Sequence, residues 1–147
     1  IPPDATGTLR IADGAIADYE YNGTIAPGKT TYYGLWDRWN SFGKKDYPWG
    51  LHPRWQKVPE GLDLATPIAW AATNDIVGGN SGSSVINKNK EVIGLVHDGN
   101  LESLAGDFIY LPENNRSVAT DSWGLMEALK LVFKTDRIVK ELEQGKM

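Results

Sequence analysis

Residues 78–85, Gly-Gly-Asn-Ser-Gly-Ser-Ser-Val, hold the residue types that can do covalent chemistry in this chain. Ser81 stands among Gly78, Gly79 and Gly82. A serine becomes a useful nucleophile on a sharp turn that presents its hydroxyl beside backbone amides aimed where a carbonyl oxygen turns negative. Glycine builds such turns, because it adopts backbone conformations closed to other residues and lets a substrate chain approach closely. A plain polar connection between two strands has the same composition, so the loop alone leaves both readings open.

The rest of the composition narrows the chemistry. The chain of 147 residues has no cysteine and only two histidines, His52 and His97. Disulfides, thiolate metal sites and cysteine nucleophiles are therefore excluded, and a histidine-based metal site has little to draw on; no cofactor or metal is expected. A formal net charge of −4 speaks against nucleic acid, which demands a concentrated positive surface. No apolar run approaches the roughly 18 residues of a membrane span, so no membrane partner is expected either. The opening residues, Ile-Pro-Pro-Asp, carry neither an initiator Met nor the blocks of a signal peptide, and we read them as a cut inside a longer chain.

The elements that must position Ser81 follow from pattern. Residues 67–75, short, apolar and bounded by Pro and Asn-Asp, predict a buried strand that delivers the glycine loop. Residues 83–87 and 91–97 flank Lys88-Asn89-Lys90 and predict a hairpin whose asparagines take the left-handed conformation. Residues 106–112 look like one more strand, and residues 8–19 like a hairpin turning at Asp13-Gly14. Residues 32–57 crowd aromatics, glycines and prolines without a sustained period, which predicts a long ordered loop with at most one helical turn. Its tryptophans, Trp36, Trp39, Trp49 and Trp55, suit either a sugar- or peptide-binding surface or a small satellite core. From Asp121 the period becomes helical: Leu125, Met126, Leu129, Val132 and Phe133 share a face that Ile138, Val139 and Leu142 continue after a polar break at 134–137. Two short helices or one bent helix both satisfy that pattern.

The stretch from Asn74 to Asp107, with Asn-Asp-Ile leading to Gly-Gly-Asn-Ser-Gly-Ser, then a hairpin, then Gly-Leu and Asp-Gly-Asn, resembles the bacterial dipeptidyl-peptidases of the 7 and 11 type. These are serine exopeptidases with a chymotrypsin-like double β-barrel and an inserted helical domain. The resemblance extends to the early Pro-Asp-Ala-Thr-Gly-Thr-Leu-Arg and to the region of Arg116, and covers most of the chain except the aromatic stretch. It implies a mainly β fold, with residues 1–147 forming a single C-terminal barrel domain, the aromatic-rich loop at 32–57 and a C-terminal helix or helices at about 121–143.

By the same resemblance Ser81 is the nucleophile, and in the chymotrypsin-like arrangement the amides of Gly79 and Ser81 form the oxyanion hole, each donor worth about 3 kcal/mol in the transition state. The catalytic His and Asp belong to an upstream half, so this chain alone would be almost inert. A peptide is the implied substrate, a periplasmic or secreted bacterial setting is implied, and a homodimer of the full-length protein is left open. His97 and Gly99 fall on the pocket for the side chain before the cut bond. The acidic-selective branch has an arginine where Gly99 stands, which implies an uncharged or apolar preference here. Gly99 also reads as an ordinary turn glycine, and His97 as a half-buried strand-end histidine.

Departures from the family pattern support another outcome, a catalytically inactive peptide- or protein-binding module on the same fold. His97 replaces an aromatic residue, and Ser84 replaces a proline beside the loop. His52, in a proline-bounded loop, reads as a surface or packing residue. Ile1 is no activation terminus of the trypsin kind, because the residue before the serine is the neutral Asn80.

Overall fold

The computed structural model describes residues 7–44 and 47–145; Ile1, and Lys45 and Asp46 of the aromatic stretch, lie outside them. The chain forms two compact units, Ile1–Thr30 with Ala69–Ser122, and Thr31–Ile68 with Trp123–Met147.

In the first unit β1 (Tyr19–Tyr21) and β2 (Thr24–Ala26) form an antiparallel hairpin. Its turn is Asn22-Gly23, both at positive φ, the residues that two-residue hairpin turns favour. The main sheet comprises β3 (Lys29–Thr31), β4 (Pro67–Ala72), β5 (Ser84–Ile86), β6 (Val92–Gly99) and β7 (Ser117–Asp121), in the order β3-β4-β7-β6-β5. The division between units falls within β3 and β4. Pairings of β4 with β7, β7 with β6 and β6 with β5 are antiparallel. Trp70, Ala72, Val96 and Ala119 form the core of this unit, flanked by Ile76, Val85 and Ile93. The strand expected at 67–75 and the hairpin around 88–90 are therefore present. The left-handed residue in that turn is Lys90, at φ 66, rather than an asparagine. Asn87 builds the turn instead, its Oδ1 accepting from the amides of Asn89 and Glu91.

Two expected strands are corrected. Residues 8–19 do not fold back at Asp13-Gly14, and Gly14 is not at positive φ. The segment runs along the end of β4: Thr73 N donates to Ala15 O, Ala15 N to Thr73 Oγ1, and Asn74 Nδ2 to Ala12 O. Pairing with a buried strand satisfies more of its backbone groups than a self-made hairpin in solvent would. Residues 106–112 form no strand either, and Phe108, Ile109 and Leu111 are all exposed. The sheet takes β7 in their place. Ser117, Ala119 and the small residues around them fit between two neighbouring strands, and Ala119 is fully buried.

The second unit overturns the expected loop at 32–57. Tyr32–Ser41 is a helix, α1, and Pro53–Trp55 is a 3-10 turn. Tyr32, Trp36 and Trp39 recur at helical spacing and bury together with Leu62. Trp55 stacks on Tyr32 with ring centroids 5.8 Å apart, and Trp36 Nε1 donates to Trp55 O at 2.7 Å. For Trp36, Trp39 and Trp55 this is the satellite core, whereas Trp49 stays exposed against Phe42. The C-terminal helical pattern resolves into α2 (Ser122–Glu127), a π-helical turn (Ala128–Val132) and α3 (Asp136–Gln144), the break marked by Lys134 at φ 55. Val139 is buried there, whereas Ile138 and Leu142 stay largely exposed. Tyr32 Oη donates to Gly124 O at 2.7 Å, and burial first, with the Glu127 charge second, pushes its phenol up to about 12.

Candidate active site

Residues 73–83 leave β4, turn and enter β5. Asn80 ties this loop to itself: its Oδ1 accepts from Val77 N at 2.9 Å, its amide donates to Val77 O, and its carbonyl accepts from Ser83 N at 2.9 Å. Gly79 at φ 96 and Gly82 at φ 85 take conformations that only glycine adopts without strain, so the two residues next to Asn80 and Ser81 fix the reversal. On the β5 side the loop is anchored to β6, with Gly82 N donating to Val96 O at 2.7 Å and Val96 N to Ser83 O at 3.0 Å. Ser84, the first residue of β5, pairs with Leu95.

Between these anchors Ser81 is exposed, and its hydroxyl makes no hydrogen bond among the described residues. The amides of Gly79 and Ser81 likewise donate to no protein acceptor there. Both residues are exposed, so these amides are free to meet a bound oxygen, as an oxyanion site requires. The loop opens on a cleft of about 250 Å³ whose walls include Asn80, Ser81, His97, Asp98, Gly99 and Ser103.

The far wall comes from β6 and a following 3-10 helix, Leu101–Asp107. The β6–β7 register slips between Val96 and Asp98, which leaves His97 as an extra residue in a bulge. Bulges re-aim side chains and recur beside active sites. His97 is exposed, and its Nδ1 shares a hydrogen bond with Thr120 Oγ1 at 3.3 Å. No histidine among the described residues bonds the Ser81 hydroxyl. His52 lies in the second unit, exposed, where its Nδ1 accepts from Arg54 N and caps the 3-10 turn, in keeping with a surface role.

Ser81, Gly99 and His97 thus share one cleft, with Gly79 in the loop that borders it. Sequence reasoning missed Asp98, Ser103, Leu104 and Asp107, which line it too. A signal existed for the last three: Asn100 caps the 3-10 helix by accepting from Ser103 N at 3.1 Å, an Asn-x-x-Ser start. The apolar run at 106–112, which predicts a strand, masks it.

The family model described as Peptidase S46 matches residues 1–144. The chain belongs to peptidase family S46. Among its relatives, the Asp/Glu-specific dipeptidyl-peptidase of Porphyromonas gingivalis is 32% identical, over 95% of this chain and 20% of its own length. Dipeptidyl-peptidase 7 of the same organism is 31% identical, over 97% of this chain and 21% of its own length. The crystal structure of Porphyromonas endodontalis DPP11 in complex with the dipeptide Arg-Glu superposes with a TM-score of 0.78 at 27% identity, covering 92% of this chain and 20% of that one. The chain spans about one fifth of the length of these S46 relatives. The likeness bears out the mainly β fold class expected from sequence. Within this chain the five-stranded sheet is open rather than closed into a barrel, since β3 and β5 each pair on one side only among the described residues.

Proposed function

We propose that this chain is the nucleophile-bearing, C-terminal portion of a serine peptidase that releases dipeptides from peptide N-termini. The observation that carries the reading is the exposed Ser81 hydroxyl on a glycine-fixed turn beside two unpaired amides, those of Gly79 and Ser81. Ser81 attacks the peptide carbonyl, the two amides hold the oxyanion, and a histidine oriented by an aspartate takes the serine proton and returns it to the leaving amine. On this reading the His and Asp come from an upstream half of the parent protein, and the setting is periplasmic or secreted.

The residue before the cut bond is uncharged or apolar. Gly99 offers no cation, and the ionisable groups on the cleft wall are His97, Asp98 and Asp107, without lysine or arginine. A substrate carboxylate entering there meets like charge rather than a partner. The relatives carry both kinds of name, Asp/Glu-specific dipeptidyl-peptidase and dipeptidyl-peptidase 7, so the cleft chemistry is the argument for this preference. Fluorogenic dipeptidyl amides tested on the parent protein should be cleaved after alanine or leucine in preference to aspartate or glutamate. Replacement Ser81→Ala should lower kcat by about 10⁴-fold or more. Preferential cleavage after acidic residues defeats the specificity, and undiminished turnover by the Ser81→Ala protein defeats the nucleophile.

The departures at His97 and Ser84 favour a second reading, a binding module that holds peptide without cutting it. It predicts peptide binding by the parent protein that survives Ser81→Ala, with no dipeptide released by either form.

A further inference from the structure

Gly99 and Ser103 both line the cleft beside Ser81. Gly99 is not at positive φ, so no turn conformation accounts for glycine at this position. Crowding does. A Cβ added at Gly99 would stand 2.2 Å from Ser103 Oγ, 3.1 Å from Ser103 Cβ and 3.5 Å from Arg116 O. The first distance is far inside any van der Waals contact, so the volume into which a side chain at 99 would grow is already filled by the serine hydroxyl.

Swinging that hydroxyl aside breaks a hydrogen bond and leaves Ser103 Cβ still 3.1 Å from the added atom. Ser103 Oγ donates to Asn100 O at 2.7 Å, while Ser103 N donates to Asn100 Oδ1 at 3.1 Å. Asn100 is itself fixed from the segment just before β7: its Nδ2 donates to Asn114 O at 2.6 Å, and its Oδ1 accepts from Arg116 N at 2.9 Å. A backbone pair, Asn100 N to Arg116 O at 3.0 Å, closes the set. Ser103 is therefore held against the bare α-carbon of Gly99 by a network in which every named group has a partner.

We propose that Ser103 is a specificity-determining residue: its hydroxyl, tied to Asn100 O, forms a polar wall that limits the size of the side chain the cleft admits, and it favours glycine at position 99. This rests on the peptidase reading of Ser81. The ligand class is an uncharged side chain before the cut bond, of a size set by Ser103 rather than by Gly99 alone. A corollary concerns engineering: a larger residue at 99, arginine included, must displace Ser103 before it can reach the cleft.

The test is a double-mutant cycle in the parent protein, with Gly99→Ala, Ser103→Gly and the pair, read by kcat/KM on dipeptidyl amides carrying alanine, leucine or phenylalanine before the cut bond, and by thermal unfolding. Gly99→Ala should lower kcat/KM about tenfold or more on every substrate, and Ser103→Gly should raise the phenylalanine-to-alanine ratio by roughly tenfold. The double variant should recover to within about threefold of the unaltered protein, because the two changes share one volume. Additive losses, or a Ser103→Gly protein with unchanged substrate ratios, overturn the proposal. Should the unaltered parent cleave none of these substrates, the peptidase reading fails by itself. The unfolding temperatures then still decide the Gly99–Ser103 coupling: rescue of Gly99→Ala by Ser103→Gly supports the wall, and its absence removes it.

Discussion

The first unit gathers its core around a single large side chain, Trp70, set among Ala72, Val96 and Ala119, whereas the second packs Tyr32, Trp36 and Trp39 together with Leu62 and lays Trp55 against them. Their polar bookkeeping differs as sharply. The buried side-chain atoms without a partner among the described residues, on Asp75, Glu102, Asn115 and Arg116, all belong to the first unit, as do the unpaired amides of Gly79 and Ser81. In the second unit the deeply placed polar groups of Tyr32 and Trp36 are both satisfied. Aromatic burial supplies stability with no need for exposed backbone donors; chemistry requires donors left unsatisfied, held in place by their neighbours.

This contrast can be broken at its strongest points. Trp36→Ala should destabilise the second unit by about 3–5 kcal/mol, through lost burial and a cavity among the stacked rings. Urea unfolding monitored by tryptophan fluorescence measures it, and a change near zero would mean the aromatic core is not what holds that unit. In the first unit the comparable change is polar. Arg116, 6% exposed, donates to the carbonyls of Pro112 and Asn115 through Nη1 and of Asp18 and Glu113 through Nη2. Arg116→Ala strips a charged donor from all four and should cost at least about 3 kcal/mol by the same assay. A loss under about 1 kcal/mol would show that these carbonyls find water readily.

A smaller effect sharpens the second unit alone. Because Tyr32 is pushed up to about 12 in the fold, against 10.0 for an ordinary tyrosine, the folded state disfavours the phenolate. The stability this contributes is fully present below pH about 10 and is lost as pH rises from there toward 12. An alkaline unfolding series should therefore fall across that window in the unaltered chain and flatten in Tyr32→Phe. An unchanged slope would mean the phenol is not protected from ionisation.

Much of the first unit could be read in advance because its signals are local. Glycines bracketing Ser81 announced the turn, and apolar residues 67–75 announced a buried strand, which ends at Ala72. What escaped reading depended on distant partners. Residues 8–19 look like a hairpin about Asp13-Gly14 until β4 takes up their hydrogen bonds, and the true hairpin sits at Asn22-Gly23, only a few residues on. Phe108, Ile109 and Leu111 carry strand-like apolarity but face solvent, while small Ser117 and Ala119 occupy the interior position. In α1 the helical spacing of Tyr32, Trp36 and Trp39 was masked by Tyr33, Leu35 and Gly34 between them. The closeness of Ser103 to Gly99 is different: it is local, set by the Asn100-x-x-Ser103 cap, and the strand-like apolar run that follows at 106–112 obscures that signal.

The central claim, that Ser81 is a displayed nucleophile waiting for a proton acceptor outside this chain, is tested most directly by fluorophosphonate labelling read by mass spectrometry. The account predicts a single adduct on the peptide containing Ser81 in the parent protein, and labelling slower by about 10⁴-fold or more in the isolated 147-residue chain. Equal rates in the two, or a parent protein whose Ser81 stays unmodified, would contradict it.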